Sequence, residues 1–565
     1  MSRHAPHAVA LLMLLCCASG CLAAVTHHCE FDRIMSARAS QPIAVVKELP
    51  QPQRNAQKGY IVTDNNWNSI RIVMSMKDLE DATKHCVDEG TSRPTFQGHN
   101  ADCQSYDVVT LRTMTELTKT VIPAAIKLHA DRLQVQRVAH AMKMPKFTQS
   151  VCRFFTVPEE HHSEGVPYAD MVLYVAAGPG LTFGAPCATL GVNGRPIAGA
   201  MNFRLSDMHH PQVAARLAAH QIAHALGFSY GQMDALSMVS SGISVRGKTH
   251  NVAMVTSNHT KTMAQKHYDC VTAKGMELED ESYGAYKSHS HWERRNAKDE
   301  LMAPIVGAGY YTALTMSVFE DMGFFRANWG MEEPMSWGSG AGCYFLTHKC
   351  VEGGATKYPN MFCTETTNAN AWSCTSDRTS MGWCGTTKEV AALPGHYQYF
   401  EDKKTGGLSL ALTDHCPVVT LLPFGGCSDG DSHQAIGGRI SQSSWCLDVE
   451  GLQVYSDGAL SESQKTSVGG VCAEVLCIDS KVRVRYLGDE DWHECPEGES
   501  LTPSTTSPGV FASGKIKCPM YAEVCTIAPS GRSLVNPNAA LQSRSLKSTD
   551  KTVASAGSMS AKDVR

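Results

Sequence analysis

The apolar positions of this chain change their period several times, and each change predicts an element. Between residues 60 and 208, short runs such as SIRIVMS (69–75) and DMVLYVAAG (170–178) are dense in Ile, Val, Leu and Met and bounded by polar or glycine-bearing stretches, as buried strands are. Residues 113–143 repeat apolar side chains at three and four, which predicts a largely helical stretch kinked at Pro123, where the helical donor is missing. Residues 211–228 carry the clearest helix: Pro211 suits the first turn, Val213, Leu217 and Ala218 share a face, and Gly227 offers a left-handed stop. Past Cys343 the chain turns Gly-, Ser- and Cys-rich, with short strands such as SKVRVRYLG (480–488). The pattern is α+β, with no internal repeat.

The ends follow other rules. Arg3 precedes the apolar run AVALLMLLCC (8–17), about half of the roughly 20 residues that a membrane span needs, and small residues follow at 21–24. Residues 1–24 are therefore expected to be a secretory signal. Residues 528–565 are rich in Ser, Ala and Lys without an apolar run, which predicts disorder. A glycolipid-anchor signal would need a hydrophobic tail of about 10–20 residues there, and none is evident. Secretion, or a place at the cell surface, is the expectation. Asn258-His259-Thr260 is a glycosylation acceptor that suits an exported protein.

Composition narrows this further. A net charge of −5 with 43% apolar residues argues against nucleic acid as a partner and against disorder throughout. The 22 cysteines are what an oxidising compartment permits. Three fall in the signal, so an odd nineteen remain. The odd one is assigned to Cys29, alone in residues 25–60, a weakly periodic stretch (KELPQPQRNAQKGY at 47–60) that reads as a mobile pro-segment. Of the other eighteen, five lie up to Cys270 and thirteen from Cys343 onward. Both numbers are odd, so full pairing requires a bridge across the divide, and Cys270 with Cys343 is the expected pair. The expected order is signal 1–24, pro-segment 25–60, N-terminal domain 61–228, central domain 229–342, Cys-rich domain 343–527 and tail 528–565.

Candidate chemistry is concentrated at His220-Gln221-Ile222-Ala223-His224. Two histidines four apart on a helix point to the same side and can share one metal ion. With 24 histidines, about one such pair arises by chance, so the neighbours must decide. Gly227 follows three residues after His224, and a second histidine-bearing segment, SHSHWE (288–293), precedes Asp299-Glu300-Leu301-Met302-Ala303-Pro304.

Three stretches, AHQIAHALGFS (219–229), SHWERRNAKDELMAP (290–304) and GYYTALTMSVFEDMGFF (309–325), resemble the leishmanolysin family of metzincin zinc peptidases, the major surface metalloproteases of trypanosomatids. The likeness covers nearly all of the chain except its ends. It implies a metzincin-like zincin module spread over the N-terminal and central domains, followed by a disulfide-rich C-terminal domain. It also implies one zinc per chain on His220, His224 and His291, with Gly227 at the helix turn and Met302 in a methionine turn beneath the metal. A compact metzincin would carry its third histidine at position 230, which is Tyr230 here; the 63 residues between Gly227 and His291 match the family's insertion. His289 competes with His291 as third ligand, and the spacing to Trp292-Glu293 and Met302 favours His291. Family resemblance further implies that Cys29 can silence the precursor by holding the metal's open position, and that the mature chain begins near Ile61 or Val62.

One residue departs from the family pattern. The glutamate that follows the first histidine takes a proton from the attacking water and passes it to the leaving amine; this chain has Gln221, which has no basic site at working pH. A positioned base contributes about 10²- to 10⁴-fold. Peptide hydrolysis is therefore expected to be severely weakened, while zinc binding and capture of peptides or host proteins persist. The alternative is an active secreted or surface zinc endopeptidase that cleaves extracellular proteins. Asp299 and Glu300 are expected to be turn acceptors rather than a substitute base, Tyr310 and Tyr311 a buried aromatic pair, and Pro304 a residue that fixes its turn.

Overall fold

The computed structural model describes residues 27–36, 43–46, 62–138, 140–208, 211–283, 286–287, 289–366, 372–432, 435–455, 465–504 and 509–535, with the backbone alone for 62–65, 282, 283 and 286. The expected signal, 1–24, lies outside them, as does the stretch 47–61.

The N-terminal part is built on a five-stranded sheet in the order Ala44–Val46, Phe183–Leu190, Pro196–Asn202, Met171–Ala176, Ile72–Ser75. Strand Phe183–Leu190 runs antiparallel to Pro196–Asn202, whereas the other three pairings are parallel. The three inner strands are buried along their whole length, which explains their near-continuous small and apolar sequences. Helix Pro211–Ala225 packs on this sheet and on helix Ile122–Arg132. From Ala214 onward every residue of Pro211–Ala225 is buried, so its six alanines serve close packing rather than an amphipathic face.

The helix expected over 113–143 is shorter than its periodicity suggested. Leu111–Glu116 passes through one π-helical stretch, Leu117–Val121, into Ile122–Arg132, with Pro123 in the first turn of that last piece. The chain then becomes strand Leu133–Val138, paired with Val62–Ser69 and Arg326–Ala327. The sequence alternates apolar and polar positions over residues 133–136 before Arg137 breaks the phase, and Leu133, Val135 and Val138 are buried. Pairing with two strands distant in sequence satisfied its backbone, and local helical periodicity lost.

The stretch between Gly227 and His291 is structured. It holds the sheet Val239–Ile243, Val252–Val255, Met276–Glu277 and the helix Asn258–Tyr268. Its buried Lys248 ammonium lies 2.7 Å from both Asp280 and Asp414, tying it to the C-terminal part. That part is dominated by long strands, among them Ser444–Tyr455, Gly470–Ile478 and Phe511–Lys517, and by six disulfides between Cys350 and Cys525. Nine disulfides form among the described residues; the bridge that parity required across the divide is the expected Cys270–Cys343, and Cys29 is free and buried.

Both expected loose segments are partly docked. Residues 27–36 lie against the protein, with helix Phe31–Ser36, and Ala44–Val46 adds a strand to the sheet edge. At the other end, the expected tail begins later than 528: Ile527 pairs with Ser533, and Gly531 O accepts from Arg216 of the buried helix at 2.7 Å. A polar segment without apolar runs is held here by buried guanidinium groups, a partner that composition does not reveal. Residues 536–565, where an anchor signal would lie, are outside the described residues. No helix among the described residues is long and apolar enough to cross a membrane.

Candidate metal centre

Helix Pro211–Ala225 carries His220 and His224 one turn apart near its C-terminal end. Its end is a Schellman motif: Phe228 N–H donates to Ala223 O and Gly227 N–H to His224 O, with Gly227 at φ +106°. That reversal brings Phe228 O to 2.7 Å from His224 Nδ1. His220 Nδ1 lies 2.6 Å from Leu301 O, next to Met302. Met302 is fully buried; its N–H donates to Glu300 Oε2 at 2.6 Å, and its carbonyl accepts from Trp292 N–H at 2.9 Å. One turn thus orients His220 and locks the segment that carries His291.

The three imidazoles converge. His224 Nε2 stands 3.1 Å from His220 Nε2 and 3.2 Å from His291 Nε2, and Cys29 Sγ lies 3.5 Å from His224 Nε2. All four residues are buried, and one ligand atom from each falls within 4.8 Å of the rest. A carbonyl partner requires a proton on Nδ1, so Nε2 of His220 and of His224 each presents a lone pair. Two lone pairs facing each other at 3.1 Å repel unless a cation lies between them. Tetrahedral zinc with Zn–N of about 2.0–2.1 Å separates its nitrogens by roughly 3.3 Å, so the donor set fits that ion. Burial pushes the Cys29 thiol up, but the three facing imidazoles outweigh this and hold it well below its ordinary range. Burial, despite the nearby thiolate, lowers His220 to about 4.

His289 stays out of this cluster; its Nδ1 lies 3.0 Å from Glu279 O. Tyr230 starts a short helix and donates its N–H to Ser290 Oγ. Glu300 is a buried acceptor for Met302 and Thr312, and Tyr310 and Tyr311 are buried, bonded to Glu523 O and His129 respectively. Pro304 O accepts from Cys29 N–H at 2.9 Å, so this turn also seats the N-terminal segment. Asn258 is exposed at the start of helix Asn258–Tyr268.

Gln221 is fully buried, with Oε1 accepting from Gly184 N–H at 2.9 Å and Nε2 3.6 Å from Cys29 Sγ. Gly184 permits that bond: a Cβ on it would lie 2.0 Å from Gln221 O. Sequence reasoning missed Gly184, and also Phe31 and Asp32. Phe31 stacks on His224 with centroids 4.1 Å apart, and Asp32 Oδ2 lies 3.4 Å from His291 Nδ1. The only local signal for these two was their nearness to Cys29.

A family model described as leishmanolysin matches residues 27–531. The leishmanolysin of Leishmania major is 36% identical over 478 residues, covering 82% of this chain and 77% of the relative. That of Leishmania donovani is 35% identical over 529 residues, covering 89% and 87%. The leishmanolysin-like peptidase of Drosophila melanogaster is more distant, 25% identical over 452 residues and 64% of each chain. With a match this long and identities above a third, the chain belongs to the leishmanolysin family of zinc metalloproteases.

Proposed function

We propose that the protein is a leishmanolysin-type zinc protein, exported from the cell, that captures peptides or proteins, host proteins among them, and hydrolyses them very weakly. One zinc would be held by His220, His224 and His291, with residues 25–60 as a latency segment whose Cys29 closes the remaining position. Zinc bound there supplies Lewis acidity, polarising a scissile carbonyl and lowering the pKa of water. Strand Phe183–Leu190, from which Gly184 reaches Gln221, is the edge that Ala44–Val46 covers. Release of the segment would free that edge for an extended peptide. Domains 61–228, 229–342 and 343–527, and a glycan on the exposed Asn258, belong to the same reading.

The bond from Gly184 N–H to Gln221 Oε1 carries the reading. A backbone N–H needs an acceptor, so it selects the amide orientation in which the NH2 group lies 3.6 Å from Cys29 Sγ, nearer than Oε1 at 3.9 Å. A glutamate would place an oxygen there. The amide instead offers a donor where proton abstraction needs an acceptor, so the group that would start the reaction is reversed in sense.

The test is a chain freed of residues 25–60, assayed for zinc content, peptide binding and peptide cleavage, alongside Gln221→Glu. One zinc per chain and unchanged peptide affinity in both proteins are expected, with cleavage about 10²- to 10⁴-fold faster in the variant. Equal, substantial cleavage by both would refute the reading.

A further inference from the structure

A metal-binding histidine is oriented by whatever holds its other ring nitrogen. For His220 and His224 those partners are Leu301 O and Phe228 O, on elements that lie outside the N-terminal segment. His291 differs, because its Nδ1 faces the carboxylate of Asp32, which belongs to that segment. Asp32 is itself fixed: Ser290 N–H donates to Oδ2 at 2.9 Å and Ser290 Oγ to Oδ1 at 2.6 Å. The carboxylate therefore grips the residue adjoining His291 and faces the ring at once. The same six-residue helix lays Phe31 flat on His224, and Cys29 precedes it by two residues.

We infer that Asp32 is a positioning residue for the third metal ligand, so that the latency segment orients His291 as well as blocking the site with its thiol. The inference rests on the metal reading above. On this basis the segment acts twice. The precursor takes up and retains its metal with His291 held by a carboxylate, and release of the segment removes that support together with the thiol.

The full chain loaded with cobalt(II) in place of zinc separates this from simple docking, because thiolate ligation by Cys29 has its own charge-transfer absorption. Asp32→Asn keeps an oxygen for Ser290 but loses the negative charge opposite His291. Before any chelator is added, we expect the loaded variant to show the charge-transfer band at the strength of the unaltered chain, and the metal then to pass to a competing chelator about 10- to 100-fold faster than from the unaltered chain. Release at the unaltered rate would overturn the inference. So would a loaded variant that lacks the band before chelator is added, because Asp32 would then only seat the segment. If the unaltered chain takes up neither cobalt nor zinc, the metal reading itself has failed and this inference goes with it.

Discussion

Single residues decide the centre through contacts that leave no room for a substitute. Gly184 is the tightest: Gly184→Ala would place a methyl 2.0 Å from Gln221 O and 2.7 Å from Gln221 C, both backbone atoms of the buried helix. Strand and helix would have to separate. The expected cost is on the order of 1–3 kcal/mol or more, read from denaturant unfolding, with a loss of zinc content in whatever folds. The histidines of the helix were legible because both lie on one short, strongly patterned segment with its own stop signal. Gly184, Phe31 and Asp32 were not, because nothing in their neighbourhoods records that strand 183–190 and segment 27–36 pack against the same two turns of helix.

Elements are held by buried charge as much as by apolar packing. The helix that carries His220 contains Arg216, fully buried, whose Nη2 donates to Glu333 Oε1 at 3.0 Å; Arg132 lies 3.3 Å from the same oxygen. Burial raises the Glu333 carboxyl, but the two guanidinium groups outweigh this and hold it below its ordinary value. Glu333→Gln leaves two buried cations short of a counter-charge, and a loss of about 3–5 kcal/mol is expected by chemical denaturation. A milder and pH-dependent case is helix Asn258–Tyr268. Asp321 accepts from His259 N–H, Thr260 N–H and the Ser257 hydroxyl, capping this helix from a neighbouring one. Burial raises the Asp321 carboxyl, but these bonds outweigh it and lower it overall. Its contribution is therefore complete above the ordinary carboxylate value of about 3.9 and is lost as pH falls through the lower folded value. Asp321→Ala should cost about 1–2 kcal/mol at pH 7, and the gap to the unaltered protein should close in unfolding measured towards pH 2. At this scale the long helices and the buried strands followed from periodicity. Strand 133–138 did not, because its alternation is short and both of its pairing partners are remote in sequence.

For the whole molecule, apolar contact is continuous from Ile70 in the N-terminal part to Ile527 beyond the last cysteine. The Cys270–Cys343 bridge joins the stretch after the histidine helix to the cysteine-rich part. Replacing both cysteines with serine should cost about 2–4 kcal/mol, seen as a lower midpoint in thermal unfolding, without creating a new free thiol.

The sequence by itself determined the histidine helix and its glycine stop, the glutamine at position 221, the isolation of Cys29 in its stretch, and by parity alone the need for a bridge across the divide. These rest on local spacing or on counting, which survive any arrangement of the chain. Only the tertiary structure decided which way the Gln221 amide points, what covers the sheet edge, and that Asp32 and Phe31 join Cys29 at the imidazoles. Each of those depends on surfaces meeting across long stretches of chain, and a residue's own neighbours in sequence do not specify what it will meet.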